Sequence, residues 1–206
     1  MSTLAYNERA ERYQSLEGRQ QRRGRELLRV AYHEAGHAVA AIVENRSFRS
    51  VTIVPTEDAL GSCSASRWPR NSNPEYSTDL LTLKRLESDI IVFLAGHIAE
   101  KHFSGRNNWV GSSHDRRAAA DYASYLVGSD EELAAYQEWL WIRTEGLVRV
   151  YQQEIATLAT SLLTEKTIQG KRAREIFLTT QRSKFGIQSA TLDVKPLKIR
   201  EGQPDD

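Results

Sequence analysis

The 206-residue sequence predicts a mainly α-helical protein with a small β-sheet just after its first core helix. Three observations predict it. Apolar residues recur at three- and four-residue spacing through most of the chain, the mark of helices with one buried face. One β-branched run, Val51-Thr52-Ile53-Val54, stops at Pro55 and reads as a strand. Residues are 40% hydrophobic and 27% charged, a balance typical of globular domains, and a chain of this size holds one domain or at most two.

Residues 1–25 are polar and carry Arg19, Arg22, Arg23 and Arg25; seven Arg face four Glu over residues 1–30. This stretch reads as a solvated, partly disordered leader, with a partner-binding or anion-binding arm as the alternative. A helix is expected from Glu26 to about Asn45, where Leu28, Ala31, Ala35, Val39 and Ile42 form one apolar face. After the strand at 51–54, Leu60 to Ser66 is short and rich in small polar residues, which suits an edge strand. Trp68 to Pro74 is a loop by its Pro and Asn content. A helix over Thr78 to Phe103 should end at Ser104-Gly105. Ser112 or Ser113 can cap another that runs to Val127, with Gly128 as its terminator. Ser129 with Glu132 is a capping box opening a long helix to about Thr164, softened near Gly146. On it, Trp139 and Trp141 read as core, with an oligomer contact as the alternative. Lys171 to Gln181 is the last helix. Residues 26–185 thus form the expected domain, followed by a loose tail over 186–206.

Composition excludes several classes. The net charge of +1 argues against a general nucleic-acid or membrane-binding surface. No stretch approaches the ~18 apolar residues of a membrane helix, and the N-terminus lacks a signal-peptide layout. The lone Cys63 can form neither an intrachain disulfide nor a thiolate metal cage, which fits a reducing, cytoplasmic setting.

The chemistry is concentrated in Tyr32-His33-Glu34-Ala35-Gly36-His37, an H-E-x-x-H pattern inside the first core helix. Four residues turn a helix by about 400°, so His33 and His37 stand one above the other. Two imidazoles so placed can hold one zinc ion at ~2.0–2.1 Å, while Glu34 on the flank can reach a water rather than the metal. Gly36 costs about 1 kcal/mol against Ala in a helix, so something should pack closely against that turn. Catalytic zinc needs a third protein ligand and an open position. Spacing leaves Glu44, Glu57, Asp79, Glu100 and Asp115 all open.

The segment Arg29 to Ala40 resembles the zinc-binding helix of the FtsH-type peptidases, the protease half of membrane AAA proteases. The resemblance continues in order. Val51-Thr-Ile-Val-Pro55 with Ala59-Leu60-Gly61 is similar to that family's strand pair, and Ile91 to Glu100 to its Gly-Gly-Arg-x-Ala-Glu helix. Gly111-Ser-Ser-His-Asp115 is similar to its Gly-Ala-x-Asn-Asp motif, and Leu162 to Gly170 to its C-terminal segment. It implies a helical, zincin-like FtsH peptidase-domain fold with a small sheet or hairpin after the zinc-binding helix. It also implies zinc held by His33, His37 and Asp115, with Glu100 as second choice for the third ligand or as a group orienting a ligand histidine. Glu34 would be the general base, and Leu60, Gly61 and Ser62 would line an edge where a peptide substrate adds as a strand. His97 and His114 stand where the family has Arg and Asn.

The function so implied is a zinc metalloendopeptidase that cleaves unfolded proteins or peptides through a metal-activated water. With no ATPase module and no membrane segment in the sequence, it is expected to act independently of ATP or to be fed by a separate AAA partner, reaching a membrane only through it. Self-association, hexameric by the resemblance, is expected. The alternative is a non-catalytic assembly or regulatory module that retains the zinc-binding fold.

Overall fold

A computed structural model describes residues 3–57, 59–65, 68, 74–76, 79–107 and 112–186, with side chains from residue 18. Its helices are α1 (Thr3–Val43), α2 (Leu80–Ser104), α3 (Ser113–Ser124), α4 (Asp130–Val150), α5 (Gln152–Glu165) and α6 (Gly170–Lys184), and its strands are β1 (Phe48–Thr52), β2 (Ser62–Ala65) and β3 (Thr167–Gln169). A mainly helical body with one small sheet is the fold class that the sequence predicts.

Helix α1 starts at Thr3, well before the expected Glu26, so the described part of the leader is helical. The stretch is free of Pro and rich in Arg, Glu and Gln, which lose little side-chain freedom in a helix. Further along, the apolar face widens. Every residue from Glu34 to Ile42 is buried, because α2, α5 and the sheet surround this part of α1. Ala31, Ala35 and Val39 pack with Ile91, Ala95 and Ile98 of α2 and with Leu158 and Leu162 of α5 in one core.

Strand β1 starts three residues before the β-branched run and ends two residues before its end. The Thr52 hydroxyl accepts the N–H of Val54 at 3.1 Å, which takes that donor out of the ladder, and Val54 is 49% exposed. The sheet order is β2-β1-β3, both pairs antiparallel, so β2 is an edge strand as expected. Strand β3 was not legible: it has three residues, and only Ile168 is buried.

Helix α2 is capped by Asp79, whose carboxylate accepts from Thr82 N at 2.9 Å, and ends at Gly105 with φ 67°. Helix α3 ends at Ser124, before the expected Val127. Its last turn tightens, with Tyr125 N on Tyr122 O and Leu126 N on Ala123 O. Gly128 instead joins the start of α4, its N–H donating to Glu132 Oε2 at 2.7 Å while Ser129 Oγ accepts from Glu132 N at 3.2 Å. The long helix breaks at Tyr151, not at Gly146. A lone Gly costs too little to open a packed helix. The bend falls where α5 must turn back to bury Ile155, Leu158 and Leu162, and where Tyr151 meets Phe177 of α6. Trp141 packs against the core, but Trp139 is 47% exposed and stacks on Tyr136. Two residues apart, they point about 200° from one another, so one helix cannot bury both on a single side.

The loop expected over Trp68 to Pro74 lies mostly outside the described residues, as does the tail beyond Gly186. No helix among the described residues is long and apolar enough to cross a membrane.

Candidate metal centre

Helical pitch alone stacks His33 and His37 on one side of α1. Their rings meet edge to face, centroids 4.7 Å apart, and their Nε2 atoms approach to 3.0 Å. The first turn of α3 supplies Asp115, whose Oδ2 lies 3.2 Å from His33 Nε2 and 3.3 Å from His37 Nε2. Each of these three residues therefore offers one ligand atom, all within 4.8 Å of one another. Asp115 also sits at a helix N-terminus, where the partial positive charge of the peptide dipoles favours an ionised carboxylate.

The other ring nitrogens are engaged by acceptors. His37 Nδ1 donates to Val92 O at 2.7 Å, and His33 Nδ1 faces Glu100 Oε2 at 3.3 Å. A carbonyl can only accept, so the neutral His37 ring carries its proton on Nδ1 and turns its Nε2 lone pair toward Asp115. His33 instead stands between two acceptors, Glu100 at Nδ1 and Asp115 at Nε2, and a cation at Nε2 would leave its proton on Nδ1. Glu100 is thus on the far side of His33 from Asp115. Its Oε1 accepts from Arg29 Nε at 3.0 Å and Nη2 at 2.5 Å.

Charge reinforces the cluster. Burial lowers the His33 pKa, but the Asp115 and Glu100 carboxylates more than offset this and push it up to about 10. Burial likewise opposes and Asp115 reverses the shift at His37, which ends raised. At Asp115 burial would raise the pKa, yet the two imidazoles hold it well below the carboxylate range. Glu34 differs. Burial is its largest influence and raises it against the pull of the histidines. Its Oε2 is buried with no hydrogen-bond partner.

Three glycines let these parts approach. A Cβ on Gly36 would lie 2.6 Å from Ala95 O and 2.7 Å from Ala99 Cβ, so the expected close packing is α1 against α2. A Cβ on Gly96 would fall on the His37 ring. A Cβ on Gly61 would lie 2.7 Å from Glu34 Oε1 and 2.8 Å from Thr52 O. Gly61, expected from sequence to leave room for a peptide, is therefore already small for the sake of Glu34. Leu60 and Ser62 beside it are exposed.

The remaining candidates lie elsewhere. Glu44 accepts from Ser88 and Arg143, Asp79 caps α2, and Glu57 is exposed. His97 is buried beside the Trp141 ring, and His114 has a side chain 92% exposed. Cys63 is raised by burial, with Glu34 and Asp115 adding to it, so it stays a thiol. Arg29 and the Val92 carbonyl escaped sequence reasoning. For Arg29 a signal existed: it lies one helical turn before His33, on the same side of α1.

Two imidazole nitrogens and one carboxylate oxygen are a donor set that zinc accepts in catalytic sites, where a fourth position stays open. The unpartnered Glu34 oxygen beside them completes a fit between these residues and such an ion.

Comparison with known proteins points the same way. Residues 21–129 match the family profile of Peptidase family M41. The chain is 26% identical over 179 residues to ATP-dependent zinc metalloprotease FTSH 11, chloroplastic/mitochondrial, of Arabidopsis thaliana, an overlap of 74% of this chain and 21% of that protein. It is 34% identical over 125 residues to ATP-dependent zinc metalloprotease FtsH of Haemophilus influenzae, covering 58% of this chain and 18% of the relative. Against the protein of the same name from Rickettsia felis it is 35% identical over 101 residues, or 48% and 15% of the two chains. The chain thus spans about a fifth or less of the length of these relatives.

Proposed function

The chain belongs to peptidase family M41, and from that membership and the geometry of its histidine pair we propose that it is a zinc metalloendopeptidase acting on unfolded polypeptide. The observation that carries this reading is Glu34: a buried carboxylate with an unpartnered oxygen, its pKa raised by burial, on the same helical turn as two imidazoles that converge with Asp115.

Zinc bound by His33, His37 and Asp115 would supply a Lewis acid that makes water more acidic and polarises a peptide carbonyl. The protein's own groups do the rest. Glu34 takes a proton from water at its free oxygen and passes it to the leaving amine nitrogen; a raised pKa makes it a stronger base for the first step and a ready acid for the second. Val92 O and Glu100 hold the two rings through their Nδ1 atoms. The outer edge of β2, entered through Leu60, Gly61 and Ser62, takes an extended substrate as an added strand, a mode that reads backbone more than side chain.

The relatives' names describe ATP-dependent enzymes. This chain matches only a small part of their length, so delivery of substrate by a separate ATPase, assembly into a ring and a cytoplasmic setting belong to the same proposal.

The test compares wild-type protein with Glu34→Gln on unfolded casein, with and without a zinc chelator. Zinc-dependent cleavage that disappears in the variant while bound zinc is retained is the expected result. Zinc-loaded wild-type protein that cleaves no better than the variant, alone or with the ATPase, overturns the reading in favour of a non-catalytic module.

A further inference from the structure

We propose that Arg29 is a positioning residue for this centre, acting through Glu100 to set the ring of His33; the inference rests on the reading of His33 as a metal ligand. Arg29 lies four residues before His33 on α1, so its guanidinium projects along the same side of the helix. Two of its nitrogens donate to a single oxygen, Glu100 Oε1, at 3.0 and 2.5 Å. Glu100 is 3% exposed, and its other oxygen faces His33 Nδ1 at 3.3 Å.

The geometry divides the carboxylate's labour. With Oε1 pinned by two guanidinium donors, Oε2 is left turned to the imidazole. That contact can accept the Nδ1 proton and orients the ring with Nε2 aimed at His37 and Asp115. The positive charge of Arg29 also offsets the cost of keeping a carboxylate buried, a cost that an unpaired charge would bear in full. Lysine cannot substitute fully, because an ammonium is a point charge without a planar fork. A carboxylate that orients a ligand histidine characteristically contributes 10–100-fold in metal affinity (roughly, by general experience of such sites), and Arg29 would act by holding that carboxylate in place.

The experiment uses the full chain and measures zinc affinity by competition with a chromophoric chelator, together with the visible spectrum of the cobalt-substituted protein. Arg29→Met is expected to weaken zinc binding by roughly 10–100-fold and to alter the cobalt spectrum, with Arg29→Lys falling between it and wild type. Because Arg29 acts through Glu100, the double variant Arg29→Met/Glu100→Gln should lose no more than Glu100→Gln alone. Wild-type affinity and spectrum in Arg29→Met would overturn the proposal, as would losses that simply add in the double variant. Should Arg29→Met fail to fold, Arg29→Lys carries the same comparison: unchanged affinity and spectrum there overturn it too. A wild-type protein that takes up no stoichiometric metal would instead sink the ligand reading beneath it.

Discussion

Gly61 shows how much of the site rests on a missing atom. Nothing larger than hydrogen fits between its Cα, the Glu34 carboxylate and Thr52 O. Gly61→Ala must push Glu34 aside, because the backbone oxygen of Thr52 closes the other direction. Displacing a catalytic group by about 1 Å can cost on the order of 100-fold in rate. We expect Gly61→Ala to lower kcat by that order while bound zinc stays near wild type, and to lower the unfolding midpoint through the clash with Thr52 O; unchanged turnover with zinc bound would overturn the reading of Glu34 as the base. Sequence reasoning reached this residue for a different purpose, since a requirement for glycine is visible in a sequence but the neighbour that imposes it is not.

Among elements, the contact between α1 and α2 decides most. Gly36 brings the two helices together at Ala95 and Ala99. In an isolated helix Gly36→Ala would gain about 1 kcal/mol, but here the added methyl meets a backbone oxygen that cannot rotate away. Overpacking of this kind costs about 1–3 kcal/mol, so urea unfolding should show Gly36→Ala to be less stable than wild type; a more stable variant would mean that the helices can slide apart freely. Packing between helices also explains why helix existence was legible and helix ends were less so. Periodicity marked α2 and the capping box marked α4, both local signals. The stop of α3 at Ser124 and the bend at Tyr151 answer to where the next helix must go.

For the whole molecule, the centre is also a stability device, because it joins α1, α2 and α3. In the metal-free protein the His33 pKa lies at about 10, above its ordinary 6.5. Its charged form therefore stabilises the fold in full below pH 6.5, and that contribution is lost as pH rises toward 10. Asp115 is shifted the other way, so its contribution is present above the ordinary carboxylate range and fades only in acid. Chelator-treated protein should thus lose stability in urea titrations as pH rises from about 6.5 toward 10. Zinc, which binds neutral imidazole, should abolish that loss and raise the midpoint with concentration. A flat profile with and without zinc would mean that the three side chains are not coupled in solution.

The sequence by itself determined the pair of imidazoles and the glutamate between them, because helical pitch converts a four-residue spacing into one shared side without help from the rest of the chain. It also carried the helical fold class and the edge character of β2. Spacing could not select among five carboxylates, and resemblance alone singled out Asp115. Only tertiary structure put Asp115, 82 residues away, at His33 Nε2, and Glu100, 67 residues away, at its Nδ1. The physical reason is that separation along a chain says nothing about separation in space once helices have packed. Two carboxylates that spacing could not tell apart thus meet opposite nitrogens of one ring.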